Sequence, residues 1–383
     1  MSQNERKRIL QLVQEGKLSA QEALVLLEAL DGNSSEQPTA NQLVMNVPVV
    51  TEEKSEDHGR HQSTDEKNKD TNEKDDSFYT HFEQAGEKIF EFVTGAFQKI
   101  KEIELPLNQS YDITHTFEED AESIEKIDID LANGPVTIQT WDQPNVKVEC
   151  QAKVYRVDNE IDAKKYFFDQ TIFTKNADLF CFSTQSKFMR VDTKIFLPNK
   201  QYKKLVVHIF NGSLTIEQLN SQLFIMKTTN GKIDLSQLHA KKIDINSVNG
   251  QIKLIDSYAD EDLEVETVNG AIHVTGLYKM IDLQAFNGNV QCEVPKVGTK
   301  RMDAKTVTGN VQIELPEAAT IDGDIRSNLG NYKLEMDGIH VIREKKEVIQ
   351  KQVLFKRTGS DENVLQLAAD TKTGSILISQ TTV

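Results

Sequence analysis

Cysteine is scarce in this 383-residue chain: Cys150, Cys181 and Cys292 stand far apart, odd in number and in apolar, strand-like settings. That spacing excludes a disulfide framework and a Cys-x-x-Cys metal site, and it predicts buried free thiols. No apolar run reaches the length of a membrane-spanning helix. The opening MSQNERKRILQLVQEGKL is charged from its start and lacks the apolar core of a secretory signal, and no LPxTG sorting motif occurs. From sequence, then, the expected location is cytoplasmic or membrane-associated. Positive charge is also in deficit, with 44 Lys and Arg against 60 Asp and Glu, a net charge of −16. Without a basic footprint the chain is not expected to bind nucleic acid; cationic partners suit it instead.

Signatures of common catalytic chemistry are missing as well. Neither GxxxxGK[ST] nor GxSxG, HExxH or paired CxxC is present, so phosphate-loop, serine-hydrolase and zinc-protease readings have no support. His58 and His61, in HGRH, have no further ligand held beside them, and His208, His239 and His273 fall at different repeat positions. Asp128, Asp130, Asp234 and Asp244 alternate with inward-facing strand positions, which predicts solvated outward carboxylates rather than a catalytic pair. The sequence predicts no enzyme activity, no cofactor and no metal.

What the chain does have is repetition. TTNGKIDLSQLHAKKIDINSVNGQIKL, Thr228 to Leu254, holds Asn-Gly twice, each followed by alternating apolar and polar residues. Alone, Asn-Gly between such segments is a strong β-hairpin signal. It recurs, however, at Asn211-Gly212, Asn230-Gly231, Asn249-Gly250, Asn269-Gly270 and Asn287-Gly288, and Gly309 and Gly330 continue the series. The step of roughly 20 residues is that of a solenoid repeat.

Aligned on the glycine, Met226, Ile245, Val265, Leu283, Ala304 and Ile325 stand five before it. Thr228, Ser247, Thr267, Ala285, Thr306 and Ser327 stand three before it, and Ile233, Ile252, Ile272, Val290, Val311 and Tyr332 two after it. One such unit cannot bury its apolar face, but copies stacked about 4.8 Å apart make a continuous core. The spacing therefore predicts a mainly-β, parallel solenoid, right-handed on general crossover grounds, whose corner asparagines can hydrogen-bond in a ladder. Consecutive hairpins in a sandwich are the alternative.

The array occupies residues 105–383. Its first coil is expected around Gly134, with Ile127, Ile129 and Leu131 before the corner and Val136 and Ile138 after it. An irregular insertion follows at about 140–203, with a helix-compatible DNEIDAKKYFFDQTIF. The Lys-rich segment 342–357 reads as a longer coil or a hairpin. The last unit, around Gly374, is expected to cap the stack, since an open end is a sticky sheet edge.

Three segments precede the array. Residues 1–31 predict a helical hairpin: Gly16 ends the first helix, Ser19 and Glu22 form a capping box, and Leu26 and Leu27 lie on the second helix's apolar face. So small a unit has little core of its own, which predicts a protein partner or self-association. Residues 32–77 are acidic and polar and predict a disordered linker. In 78–104, Phe82, Ile89, Phe90, Val93, Phe97 and Ile100 make the stripe of an amphipathic helix. That helix either caps the solenoid or meets a partner or membrane surface.

Taken in order, the ILQLVQEGKLSAQEALVLLEAL opening (Gly16, Lys17, Leu18, Ser19, Glu22, Ala23), the acidic linker, the Phe-rich helix and the TVNGAIHV-type repeats resemble the YvlB and LiaX-like proteins of Gram-positive bacteria. The resemblance implies an adhesin-like β-solenoid of unknown function. It further implies a non-enzymatic role in cell-envelope stress, sensing or countering membrane-active cationic (antimicrobial) peptides, with a link to Lia-type signalling and a place at the cell surface. The alternative is a cytoplasmic, membrane-associated scaffold that self-assembles through its solenoid ends.

Overall fold

Alternating inward apolar and outward polar residues draw the chain into strands along almost all of the region described by the computed structural model, residues 110–347 and 349–381. The expected hairpin (1–31), linker (32–77) and Phe-rich helix (78–104) lie outside the described residues, and with them Gly16, Ser19, Glu22, Leu26, Leu27, Phe82, Ile89, Phe90, Val93, Phe97 and Ile100. In chain order the elements are β1 (Ser110–Asp120), β2 (Lys126–Asn133), β3 (Val136–Trp141), β4 (Asn145–Tyr155), α1 (Glu160–Asp169), β5 (Thr171–Asn176), β6 (Leu179–Thr184) and β7 (Met189–Pro198). Next come β8 (Gln201–Asn211), β9 (Leu214–Asn230), β10 (Ile233–Asn249), β11 (Ile252–Asn269), β12 (Ile272–Asn287), β13 (Val290–Glu293), β14 (Arg301–Thr308) and β15 (Val311–Leu315). The last are β16 (Thr320–Ser327), β17 (Tyr332–Glu335), β18 (Ile339–Lys346), β19 (Lys351–Arg357), β20 (Val364–Thr373) and β21 (Ile376–Gln380).

The Asn-Gly corners join strands that pair with the neighbouring coil and not with each other, so the predicted parallel solenoid holds and the hairpin sandwich does not. Before the corner, β2, β8 and the second halves of β9 to β12 pair in parallel and in register, followed by β14. After the corner, β3, the first halves of β9 to β12, β13 and β15 do the same. Met226, Ile245, Val265 and Leu283 face inward and are fully buried, as are their counterparts Ile233, Ile252 and Ile272 across the corner. Each such aliphatic side chain contributes about 1.5–3 kcal/mol relative to exposure.

A second bend breaks β9, β10 and β11. Gln218, Gln237 and Asp256 take φ values of +51, +54 and +48°, and the register stacks them in adjacent coils. Left-handed backbone at a non-glycine residue costs on the order of 1 kcal/mol. It persists here because the ladders on both sides of the bend fix the path, and without a glycine to mark it the sequence gives no sign of the turn.

At the amino-terminal end of the stack the chain doubles back. β6 pairs in parallel outside β2, and β7 outside β3. The coil around Gly134 is therefore not the first in space, contrary to its place in the sequence. Nor is the segment at 140–203 irregular: it supplies that outer coil and a cap, with β5 antiparallel on β6, β4 on β7 and β1 on β4. Asn159 caps α1, its side-chain oxygen accepting from the Asp162 backbone N–H at 2.9 Å. α1 buries Ala163 and Phe167 against β1, β4 and β5, where Phe117 stacks on Phe173 at 4.9 Å. An aromatic cluster thus fills the end that a further coil would otherwise cover.

The carboxyl-terminal end is also out of order. β20 pairs with β14 on one side and β16 on the other, and β21 lies between β15 and β17. The unit around Gly374, expected as the cap, is instead inserted between two coils that precede it in sequence. Closure comes from the Lys-rich segment, which forms the hairpin β18–β19, with β19 antiparallel on β16. Arg357 ties this closure down: its guanidinium donates to the Asp337 carbonyl at 2.7 Å and to the Ala319 carbonyl. Beyond Ile339, β18 is exposed and carries Arg343, Glu344, Lys345 and Lys346. A charged edge of that kind resists pairing with another chain, which argues against assembly through this end.

Candidate functional site

The corners of the solenoid form one line. Asn211, Asn230, Asn249, Asn269 and Asn287 each donate a side-chain N–H to the amide oxygen of the asparagine before it, starting at Asn133, over 2.8 to 3.5 Å. Each such bond is worth about 0.5–1.5 kcal/mol net. Past Asn287 the line shifts: Thr308 and Thr373 hold the corner, while Asn289 and Asn310 accept at 2.8 Å from the backbone N–H groups of Asn310 and Ser375. Gly134, Gly212, Gly231, Gly250, Gly270, Gly288 and Gly309 stack beside it, each with no room for a Cβ because the carbonyl of the preceding coil lies about 2 Å from where one would sit. Gly330 stacks on Gly374, not on Gly309. The corner residues are thus an internal brace, presented along one edge.

The broader surface is the outward face of the strands that lead into those corners. Six residues before the glycine, Asp244, Glu264, Asp282 and Asp303 stand in register on four successive coils. Two before it, Phe210, Thr229, Val248, Val268, Phe286 and Val307 form a parallel, mainly apolar column. Between the columns run His208, Lys227, Asn246, Glu266, Gln284 and Lys305. Polar neighbours hold the carboxylates in place. Asn246 donates to Asp244, Gln284 to Asp282 at 3.1 Å and Arg301 to Asp303 at 2.7 Å. A hollow at the far end is lined by Arg301, Asp303, Asp322 and Asp324. One face therefore offers a carboxylate column parallel to an apolar column.

The electrostatics of the face depart from those of an open surface. Asp282 has its pKa raised, first because burial disfavours its charged form and then because Asp303 is near; Lys305, Gln284 and Arg301 oppose the shift. His208 is shifted down, mainly by burial, against the pull of Asp130. Since Asp282 binds its proton more tightly folded than unfolded, its contribution to stability is present below the unfolded carboxyl value of about 3.9 and is lost as pH rises through the raised folded value. Asp282→Asn is therefore expected to reduce the fall in stability between pH 4 and pH 7, by about 1.4 kcal/mol per pK unit removed. Urea midpoints of both proteins at the two pH values measure this, and an unchanged fall would place the shift elsewhere.

Of the other singled-out aspartates, Asp234 is exposed on the opposite side of its corner, while Asp128 and Asp130 continue the columns of this face beside Val206 and His208. Asp128, Asp130 and Asp244 are half-buried rather than freely solvated. Cys150 and Cys292 are buried thiols, each pushed up to about 12 by desolvation. Cys181, expected to be buried, is only partly so, because it faces outward beside Asp128. Among the described residues no His, Cys, Asp and Glu group is arranged to hold a metal ion, and no helix is long and apolar enough to cross a membrane.

Comparison with known proteins follows this architecture. A family model described as Toastrack DUF4097 matches residues 124–378, and a SHOCT-like domain model matches residues 4–35. The YvlB protein of Bacillus subtilis, itself uncharacterised, is 34% identical over 374 residues, 97% of each chain. Among solved structures, a "putative adhesin" of Bacteroides fragilis aligns over 70% of this chain and 97% of its own at 12% identity and a TM-score of 0.40. A "putative lipid binding protein" of Parabacteroides distasonis aligns over the same shares at 12% identity and a TM-score of 0.39. Because the Toastrack match spans more than half of the sequence and the B. subtilis relative is similar from end to end, the chain belongs to the Toastrack DUF4097 family.

Proposed function

We propose that this is a non-enzymatic, adhesin-like protein of the cell envelope, whose solenoid is a rigid surface for cationic, membrane-active amphipathic peptides. Signalling of the Lia type is the output implied by its resemblance to the LiaX-like proteins. The observation that carries the reading is the pairing, on one outward face, of the carboxylates Asp244, Glu264, Asp282 and Asp303 with the apolar column from Phe210 to Val307. An amphipathic cationic peptide presents the complementary pair, a row of ammonium groups beside a row of apolar side chains. A parallel ladder fixes the spacing of both columns before a ligand arrives, which lowers the ordering cost of binding. The acidic segment 32–77 adds charge of the same sign.

A fluorescent synthetic Lys/Leu amphipathic peptide, titrated against the full chain, tests this. Binding is expected to weaken at least tenfold as salt shortens the screening length from roughly 30 to roughly 3 Å. The Asp244→Asn, Glu264→Gln, Asp282→Asn triple variant is expected to lose a similar factor at low salt. Equal affinity in the triple variant would remove this face from the reading.

A further inference from the structure

The chain is acidic overall, with a net charge of −16, yet the hairpin that closes its carboxyl-terminal end is basic. Between residues 339 and 357 stand Arg343, Lys345, Lys346, Lys351, Lys356 and Arg357 against only Glu344 and Glu347. Both acids are already engaged, Glu344 by Lys346 at 2.6 Å and by the Tyr332 hydroxyl, and Glu347 by Lys345 at 3.2 Å. Lys356 pairs with Asp322 at 3.4 Å, while Arg343 has no acidic partner among the described residues. Arg357 is the buried tie described above, but Arg343, Lys345, Lys346 and Lys356 are all exposed.

Apolar side chains stand among these cations. The register of β18 on β19 slips between Val341 and Arg343, a bulge that leaves Ile342 opposite no residue of β19. Val341 and Ile342 are 53% and 59% exposed, whereas Val353 and Phe355 on β19 are fully buried. At the turn the Glu347 backbone N–H donates to the Gln350 carbonyl at 2.9 Å, so the loop is short. It holds the β-branched Ile349 where glycine, asparagine or aspartate is the rule. A bulge, two bared aliphatic side chains and an apolar turn break local rules together in one element, as functional surfaces do.

We propose that the hairpin β18–β19 docks on an anionic lipid bilayer, its cations among the headgroups and Val341 and Ile342 in the interfacial layer. This goes beyond the peptide reading, uses a different part of the fold and does not depend on it. Charge complementarity selects the partner: each cation near an anionic bilayer raises partitioning about fivefold, and lysine stems lie along apolar surface while their ammonium groups stay wet. Repulsion from the acidic body fades beyond about 8 Å at physiological salt, so the basic end is the one that approaches. A bilayer matches the cations and the aliphatic side chains at once, whereas an acidic polypeptide answers only the cations. Addition of a further strand is opposed by the charges and by the bulge. Docking in this way turns the closed end of the solenoid to the membrane and the α1-capped end away from it.

Co-sedimentation of the full chain with vesicles tests this, using an equal mixture of phosphatidylglycerol and phosphatidylcholine against phosphatidylcholine alone. The full chain is expected to sediment with the mixed vesicles, and the Arg343→Gln, Lys345→Gln, Lys356→Gln variant to partition at least about tenfold more weakly. No sedimentation of the full chain, or equal sedimentation of the variant, would overturn the proposal. A second readout leaves the hairpin's charges intact: the full chain with Cys181→Ser and Ile342→Cys, labelled with an environment-sensitive dye. Its emission is expected to shift to the blue on the mixed vesicles and not on phosphatidylcholine. The same dye at Ile161→Cys, on α1 at the other end and 81% exposed, is expected to stay unchanged. Sedimentation without a shift at 342 would place the membrane contact elsewhere, and shifts at both sites would mean unoriented adsorption; either overturns the proposal. A shift at 342 caused by soluble polyglutamate and not by the vesicles would also overturn it, in favour of an acidic protein partner.

Discussion

Gly250→Ala is expected to destabilise the solenoid by about 3 kcal/mol or more, far beyond the usual glycine-to-alanine change. A Cβ at Gly250 would lie 1.9 Å from the Gly231 carbonyl oxygen and 2.7 Å from its carbon. Neither atom can yield without shifting a neighbouring coil whose own position is set by the next. Gly338→Ala supplies the contrast, because Gly338 has a φ of +76° but nothing within 4 Å of a Cβ. There only the backbone preference is lost, about 1 kcal/mol. Denaturant midpoints of the two variants decide the matter. Similar losses would mean that the corner glycines serve chain conformation alone and not the close approach of coils.

Deletion of residues 358–383 is expected to have the larger structural effect. A solenoid stacked in sequence order would lose only its last unit. Here the deletion removes β20 and β21 from between β14–β15 and β16–β17, leaving β16, β17 and the β18–β19 hairpin with no ladder to the body. Segment 320–357 should then be cut rapidly by protease while 126–308 stays resistant. Retained protection of 320–357 would show that these strands can re-pair directly on β14 and β15. The newly bared edge, Val311–Leu315, has an apolar, alternating sequence and is expected to promote aggregation of the truncated chain.

The repeat was legible because each coil must meet the same local requirements: a small corner residue without a Cβ, a short hydroxyl such as Thr228 or Ser247 inside the turn, and an aliphatic pair around it. The order of coils was not. Thr371 and Gly374 satisfy the column as well between Gly309 and Gly330 as they would beyond Gly330, so column chemistry cannot rank them. In the same way Leu179–Pro198 lacks the Asn-Gly corner and stacks by register alone. The bend at Gln218, Gln237 and Asp256 escaped notice because neighbouring ladders, not glycine, impose its backbone. On the candidate face, Asn246, Glu266 and Gln284 stand at the polar positions of the alternation yet are buried. Their burial depends on what lies across the sheet, which periodicity along one strand does not encode.

Interleaving at the carboxyl terminus also bears on how the molecule carries a load. Solenoids usually peel from an end, one coil at a time, because the outermost strand is held on one side only. A pull on the last residues of this chain instead meets β21 and β20, each bonded along both edges. Two ladders must shear together before the tail comes free, so the wedge acts as a mechanical clasp, and a tether at this terminus would resist extraction better than one attached to the exposed hairpin β18–β19.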